Sequence, residues 1–138
     1  MAVMWKESRI DSSVQNSTTN ATGLIQFMPA TAGALGTTVA DLKSMDPVQQ
    51  LDYVYKYYDM LGMTGKMKSY SDLYMATFFP AAVGWSDDSI LKTSQLKAET
   101  VAGANPGIDL NKDKKITVAE FKKYCLKGLP TNVIQYVK

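Results

Sequence analysis

Glu7-Ser8-Arg9 and, sixteen residues after the glutamate, Gly23-Leu24-Ile25-Gln26-Phe27-Met28-Pro29-Ala30-Thr31-Ala32 decide how this chain is read. The glutamate stands near the end of a short apolar run, Val3, Met4 and Trp5, in a segment that predicts a helix over 2–10. Between the two blocks, 11–22 has no apolar periodicity and is rich in Ser, Thr and Asn, so it is a loop that offers hydroxyl and amide groups. Pro29 is placed for the first turn of a helix over 30–35, which Gly36 ends.

Outward from there the punctuation is helical. Thr38 with Asp41 three residues later opens a helix over 39–44. Asp46-Pro47 opens the longest one, with an Asp cap, a proline in the first position and apolar residues at Val48, Leu51, Val54, Tyr58 and Leu61 spaced for one buried face; Gly62 stops it. Tyr53, Tyr55, Tyr57 and Tyr58 crowd this helix, as core or as a platform against a sugar face. A serine-capped helix is predicted over 71–79 and ends at Pro80, whereas 84–107 predicts turns with at most one short helix.

Composition narrows the chemistry. The chain has 138 residues, enough for one domain over 1–138 with a real core. Fifteen basic and thirteen acidic residues leave a net charge of +2, with lysines spread along the chain, so no nucleic-acid footprint is present. No apolar run approaches the roughly 20 residues that cross a bilayer, so no membrane insertion is expected. The absence of histidine rules out imidazole acid–base catalysis and His-based triads or zinc sites. The single Cys125 allows no intrachain disulfide, and with no histidine to activate it reads as a small core hydrophobe. The first residues lack the basic flank and long apolar stretch of a signal peptide. With only six residues before Glu7, the expectation is a piece of a larger polypeptide or a chain whose first methionine is not native.

A second motif spans 109–120. Asp109, Asn111, Asp113, Thr117 and Glu120 put oxygen ligands at positions 1, 3, 5, 9 and 12 of an EF-hand-like loop, the Lys115 carbonyl falls at position 7, and Ile116 is the usual branched residue at 8. Calcium needs six to eight oxygens around one point, and this spacing wraps them. Position 6 is Lys114 instead of glycine, so a lysine must take a positive φ at a cost of about 1 kcal/mol. Lys112, Lys114 and Lys115 offset the three carboxylates, which predicts a structural Ca2+ site of modest affinity, Kd about 0.1 to 1 mM. Thr117 with Glu120 also caps a helix running to Leu126.

The Glu7-Ser8 block, the hydroxyl-rich loop, the Gly23–Ala32 block and the terminal Thr131 to Tyr136-Val137 resemble the lytic transglycosylases and goose-type lysozymes, the phage-borne branch above all. The resemblance implies an all-α, lysozyme-like domain that cuts the β-1,4 bond between N-acetylmuramic acid and N-acetylglucosamine in peptidoglycan glycan strands. It makes Glu7 the general acid, places Ser17, Gln26 and Met28 along the sugar cleft and has Tyr136 support the site. An EF-hand loop is also known in some relatives. The setting it implies is a phage tail or lysis protein, in the virion or released to act on the bacterial wall. Where the family has Ala-Tyr-Asn-Ala-Gly, this chain has Thr77-Phe78-Phe79-Pro80-Ala81; Phe78 keeps the aromatic, Phe79 replaces the amide, and hydrolysis and anhydro-sugar formation both stay open.

An acid working near neutral pH needs its pKa raised by burial, and Trp5, Phe78, Phe79 and Tyr136 are the candidate neighbours of Glu7. A two-carboxylate glycosidase needs a partner roughly 5 to 9.5 Å away. Asp11 could supply it only if the first helix continued; as a loop starter it leaves a single-acid mechanism, assisted by the substrate's N-acetyl group. Two rivals come from other classes. One is a module that binds peptidoglycan without cutting it, the other an EF-hand interaction protein, against which the lack of a clear incoming helix before Asp109 counts.

Overall fold

Backbone contacts gather the chain into two compact units, Met1–Thr64 and Gly65–Lys138, and the computed structural model describes residues 1–137. Among the described residues there are eight α-helices, one short 3-10 turn and no β-strand, so the fold is all-α as the sequence predicts.

The first unit holds α1 (Ala2–Ser8), α2 (Pro29–Ala34), α3 (Val39–Ser44) and α4 (Pro47–Met60). Helix α1 stops two residues earlier than predicted. Arg9 and Ile10 both turn left-handed, at φ 57° and 64°, and the Ile10 amide reaches back to Met4 O at 3.2 Å. A β-branched residue there is strained, so the turn must be held from outside. Asp11 then begins the loop: its carboxylate accepts from the Ser13 amide at 2.8 Å and the Ser13 hydroxyl at 2.6 Å. These bonds, the side-chain one first, hold its pKa below the ordinary carboxylate value.

Helices α3 and α4 begin where their caps dictate. Thr38 accepts from the Asp41 amide at 3.0 Å, and Asp46 and Gln49 form a reciprocal capping box with Pro47 at the first position. The buried face of α4 differs from the apolar periodicity. Val48 is 74% exposed and Leu51 42%, whereas Gln50, Val54 and Tyr58 are buried. The helix turns a glutamine inward because its amide meets one backbone N–H and two backbone carbonyls, which removes the penalty of burying it.

The predicted loop between α1 and α2 is a pair of tight reversals. Gln15 bridges Thr22, and Thr22 bridges Phe27 through mutual backbone bonds of 3.0 and 2.8 Å. Asn16 closes the outer turn by accepting from the Thr18 and Thr19 amides. Leu24, Ile25 and Phe27 are buried, and Tyr57 of α4 meets the Phe27 ring edge-on at 6.3 Å.

The second unit holds α5 (Tyr70–Phe78), the 3-10 turn Pro80–Ala82, α6 (Ala98–Ala104), α7 (Val118–Leu126) and α8 (Thr131–Val137). Ser69 caps α5 by accepting from the Asp72 amide, which starts the helix one residue before the prediction. An aromatic cluster joins α5 to α7: Phe78 stacks on Phe121 at 5.1 Å and Tyr74 tilts against Phe121 at 5.5 Å. Segment 87–91 lies along the start of α7, with Ala119 N bonded to Asp87 O, Val118 N to Ser89 O and Leu91 N to Ile116 O, while Lys122 pairs with Asp87 at 2.6 Å. Helix α6 precedes Asp109, so the loop does have an incoming helix; small residues, Ala98, Ala102 and Gly103 among them, hide it from a periodicity reading.

Candidate functional site

Glu7 is the penultimate residue of α1 and half-buried, one residue before the chain reverses. Its neighbour Ser8 is buried, with the hydroxyl 3.0 Å from Met4 O and 3.1 Å from Leu24 O, so one proton serves the helix and the Gly23–Phe27 turn together. The backbone of Leu24 is held from the other side as well. Its N–H donates to Gln50 Oε1 at 2.9 Å, while Gln50 Nε2 donates to Ser12 O at 2.7 Å and Leu42 O at 2.6 Å. The amide orientation is set by partners that are one donor and two acceptors.

Gln26 lies two residues beyond Leu24, at φ 55°, with Nε2 donating to Gly23 O at 3.1 Å. That bond leaves its side-chain carbonyl for another partner. Met28, 46% exposed, is the residue before α2, and Ser17 is exposed in the outer turn. Ser8 and Gly23 stand within the two blocks without a role of their own in the sequence, and Gln50 stands outside any motif, although a glutamine four residues before Val54, on the face that turns out to be buried, is a signal that could have found it.

Around α1, the Arg9 guanidinium lies 5.1 Å over the Trp5 ring. In the second unit Phe78 is half-buried against Phe121, and Phe79 is 8% exposed and meets Trp85 edge-on, so Phe79 is a core residue rather than an open face. Tyr136, in α8, is 83% exposed.

The 109–120 loop is wound by its own side chains. Asp109 accepts from the Asp113 and Lys114 amides, Asn111 Oδ1 from the Asp113 amide, and Asp113 Oδ1 from the Lys115 amide. Lys114 has φ 66°, the left-handed conformation that position 6 demands. Glu120 accepts from Leu110 N and Asn111 N on one oxygen and from the Thr117 amide and hydroxyl on the other. Burial pushes its pKa up, but these bonds together outweigh burial and hold it below the ordinary value. Among the described residues no three acidic, histidine or cysteine side chains converge as they would on an ion, Glu120 being turned into its capping box. A cavity of about 310 Å³ opens beside Asp109, with Glu99, Lys112 and Lys114 in its lining.

A family profile described as Transglycosylase SLT domain matches residues 1–74, more than half of the chain and the whole of the unit that holds Glu7, Ser8 and Gln26. The chain belongs to the transglycosylase SLT domain family. No curated protein and no solved structure matches it. Membership makes the all-α fold a lysozyme-like one and sets the substrate and reaction class: this transglycosylase domain acts on peptidoglycan and degrades cell wall, outside the cytoplasm. The match ends before Phe78, Phe79, the 109–120 loop and Tyr136. No helix among the described residues is long and apolar enough to cross a membrane.

Proposed function

We propose that this transglycosylase domain, acting as one catalytic domain over 1–138, cleaves the β-1,4 bond between N-acetylmuramic acid and N-acetylglucosamine with Glu7 as its acid and then its base. The observation that supports this most is the Ser8–Leu24 tie, which holds the end of α1, one residue after Glu7, against the turn that carries Gln26. Glu7 protonates the departing glycosidic oxygen while the substrate's N-acetyl group assists at the anomeric carbon. It then takes a proton from the muramic acid 6-hydroxyl, or from water, as that oxygen attacks. Asp11 is a poor second carboxylate, since it lies past a left-handed reversal and its oxygen is occupied by Ser13. That favours the single-carboxylate route. Gln26, Ser17 and Met28 line the glycan path in this reading.

The 109–120 loop is proposed to bind calcium through Asp109, Asn111, Asp113, Thr117, Glu120 and the Lys115 carbonyl. Its support is an all-oxygen donor set in the right order on a backbone already bent at Lys114. When bound, the ion would supply stability rather than chemistry, with Glu120 leaving its capping bonds to reach it. A phage tail or lysis protein is the setting proposed for the domain, on the resemblance of the two N-terminal blocks.

The test is mass spectrometry of muropeptides released from purified sacculi. Products lighter by one water per cut disaccharide show anhydro-sugar formation, and intact reducing ends show hydrolysis. Binding to sacculi with no soluble product would overturn the catalytic reading in favour of a binding module.

A further inference from the structure

We infer that Ser8 and Gln50 are positioning residues that act together on the backbone of Leu24, fixing where Glu7 stands relative to the Gln26 turn; the inference rests on the reading of Glu7 given above. Leu24 is gripped on both sides of its Cα, its N–H by Gln50 Oε1 at 2.9 Å and its carbonyl by the Ser8 hydroxyl at 3.1 Å. Ser8 is covalently next to Glu7, and Leu24 is two residues from Gln26. The grip therefore spans α4, the turn and the end of α1 through one buried residue, whose two flanking peptide planes are each held by a side chain.

Three features make this a device for geometry. Gln50 is fully buried and its three polar contacts are spent on backbone groups from three segments, at Ser12, Leu24 and Leu42. An amide saturated in this way has one position. Gly23 brings the backbone so close to that amide that a Cβ would stand 2.7 Å from Nε2, so the turn cannot slide along the glutamine. On the other side, Arg9 and Ile10 follow Ser8 in left-handed conformations, which cost energy and persist only where the surroundings over-determine them. The Ser8 hydroxyl is the side-chain bond that joins this strained reversal to the turn.

An acid must lie within hydrogen-bond reach of the oxygen it protonates, and a displacement of about 1 Å can cost on the order of a hundredfold in rate. Releasing either backbone group of Leu24 lets α1 and the Gln26 turn shift against each other. The loss falls on the chemical step, because glycan binding along the rest of the path is untouched.

The experiment measures kcat and KM separately on a soluble peptidoglycan tetrasaccharide for the native chain, Ser8→Ala, Gln50→Asn, the double variant, Ser8→Thr and Glu7→Gln. Ser8→Ala and Gln50→Asn should each lower kcat about tenfold or more with KM changed by less than about threefold. Because both act through the one residue Leu24, the double variant should be about as slow as the slower single one, not slower by the product. Ser8→Thr, which restores the hydroxyl, should recover most of the loss. Should Gln50→Asn not fold, the Ser8→Ala and Ser8→Thr pair decides. A Ser8→Ala kcat within about twofold of native, or single losses that multiply in the double variant, would overturn the inference. Glu7→Gln separates the two readings: near-native activity there sinks the assignment of Glu7 itself, whereas a dead Glu7→Gln beside a fully active Ser8→Ala sinks only the positioning role.

Discussion

Gly23 and Gln50 are packed so closely that no side chain fits between them. A Cβ at residue 23 would stand 2.7 Å from Nε2 and 2.8 Å from Cδ of the Gln50 amide, and the glycine itself holds φ +79°. The turn that carries Gln26 exists in this form because of that contact.

Gly23→Ala therefore meets two costs, about 1 to 2 kcal/mol for a left-handed alanine and about 1 to 3 kcal/mol for overpacking against a saturated amide. A fall of roughly 2 to 5 kcal/mol in urea unfolding is expected, with activity lost from what still folds. Gly33 is the control. It lies within α2 with open space where a Cβ would go, so Gly33→Ala should raise stability by about 0.5 to 1 kcal/mol.

Asp46→Ala removes the capping box of α4 and should cost about 1 kcal/mol in the same assay. Val48→Lys, at a position 74% exposed, should change stability by less than about 0.5 kcal/mol. A large loss from Val48→Lys would mean that the apolar periodicity, not the Gln50–Val54–Tyr58 face, describes the buried side.

That pair of substitutions shows what was legible in the residues. Helix starts are local chemistry, a side-chain oxygen meeting an amide two or three residues on, so Thr38, Asp46 and Thr117 announce α3, α4 and α7. The positive φ at Lys114 is local as well, set by loop spacing. Burial is not local. Gln50 is inside only because Ser12, Leu24 and Leu42, distant in sequence, bring backbone groups to meet it, and no periodicity of α4 records their presence. The end of α1 was misplaced for a similar reason, since Arg9 and Ile10 adopt conformations their own preferences oppose. Within the candidate site, Glu7 stood out by the company of its blocks, whereas Ser8 gave no sign that its hydroxyl reaches sixteen residues ahead.

Glu120 makes stability depend on acid. Its folded-state pKa is depressed, so its contribution is present above the unfolded-state pKa and is lost as pH falls through the folded one. The stability difference between the native chain and Glu120→Gln should thus be largest near neutral pH and shrink below the ordinary carboxylate range. A difference constant from neutral to strongly acidic pH would contradict the capping-box picture.

Calcium should stabilise without being required for the chemistry. For a Kd of about 0.1 to 1 mM, 10 mM Ca2+ adds roughly 1.4 to 2.7 kcal/mol, a rise of a few degrees in melting temperature over chelated protein. Asp109→Asn should reduce that rise while leaving chelated-state turnover in place. Identical melting curves with calcium and with chelator would refute the site.

The most direct measurement is turnover of purified sacculi by Glu7→Gln, with its melting temperature recorded alongside. A loss of about a hundredfold or more at unchanged melting temperature is expected from removing a general acid. A folded Glu7→Gln chain that releases muropeptides at the native rate would contradict the assignment.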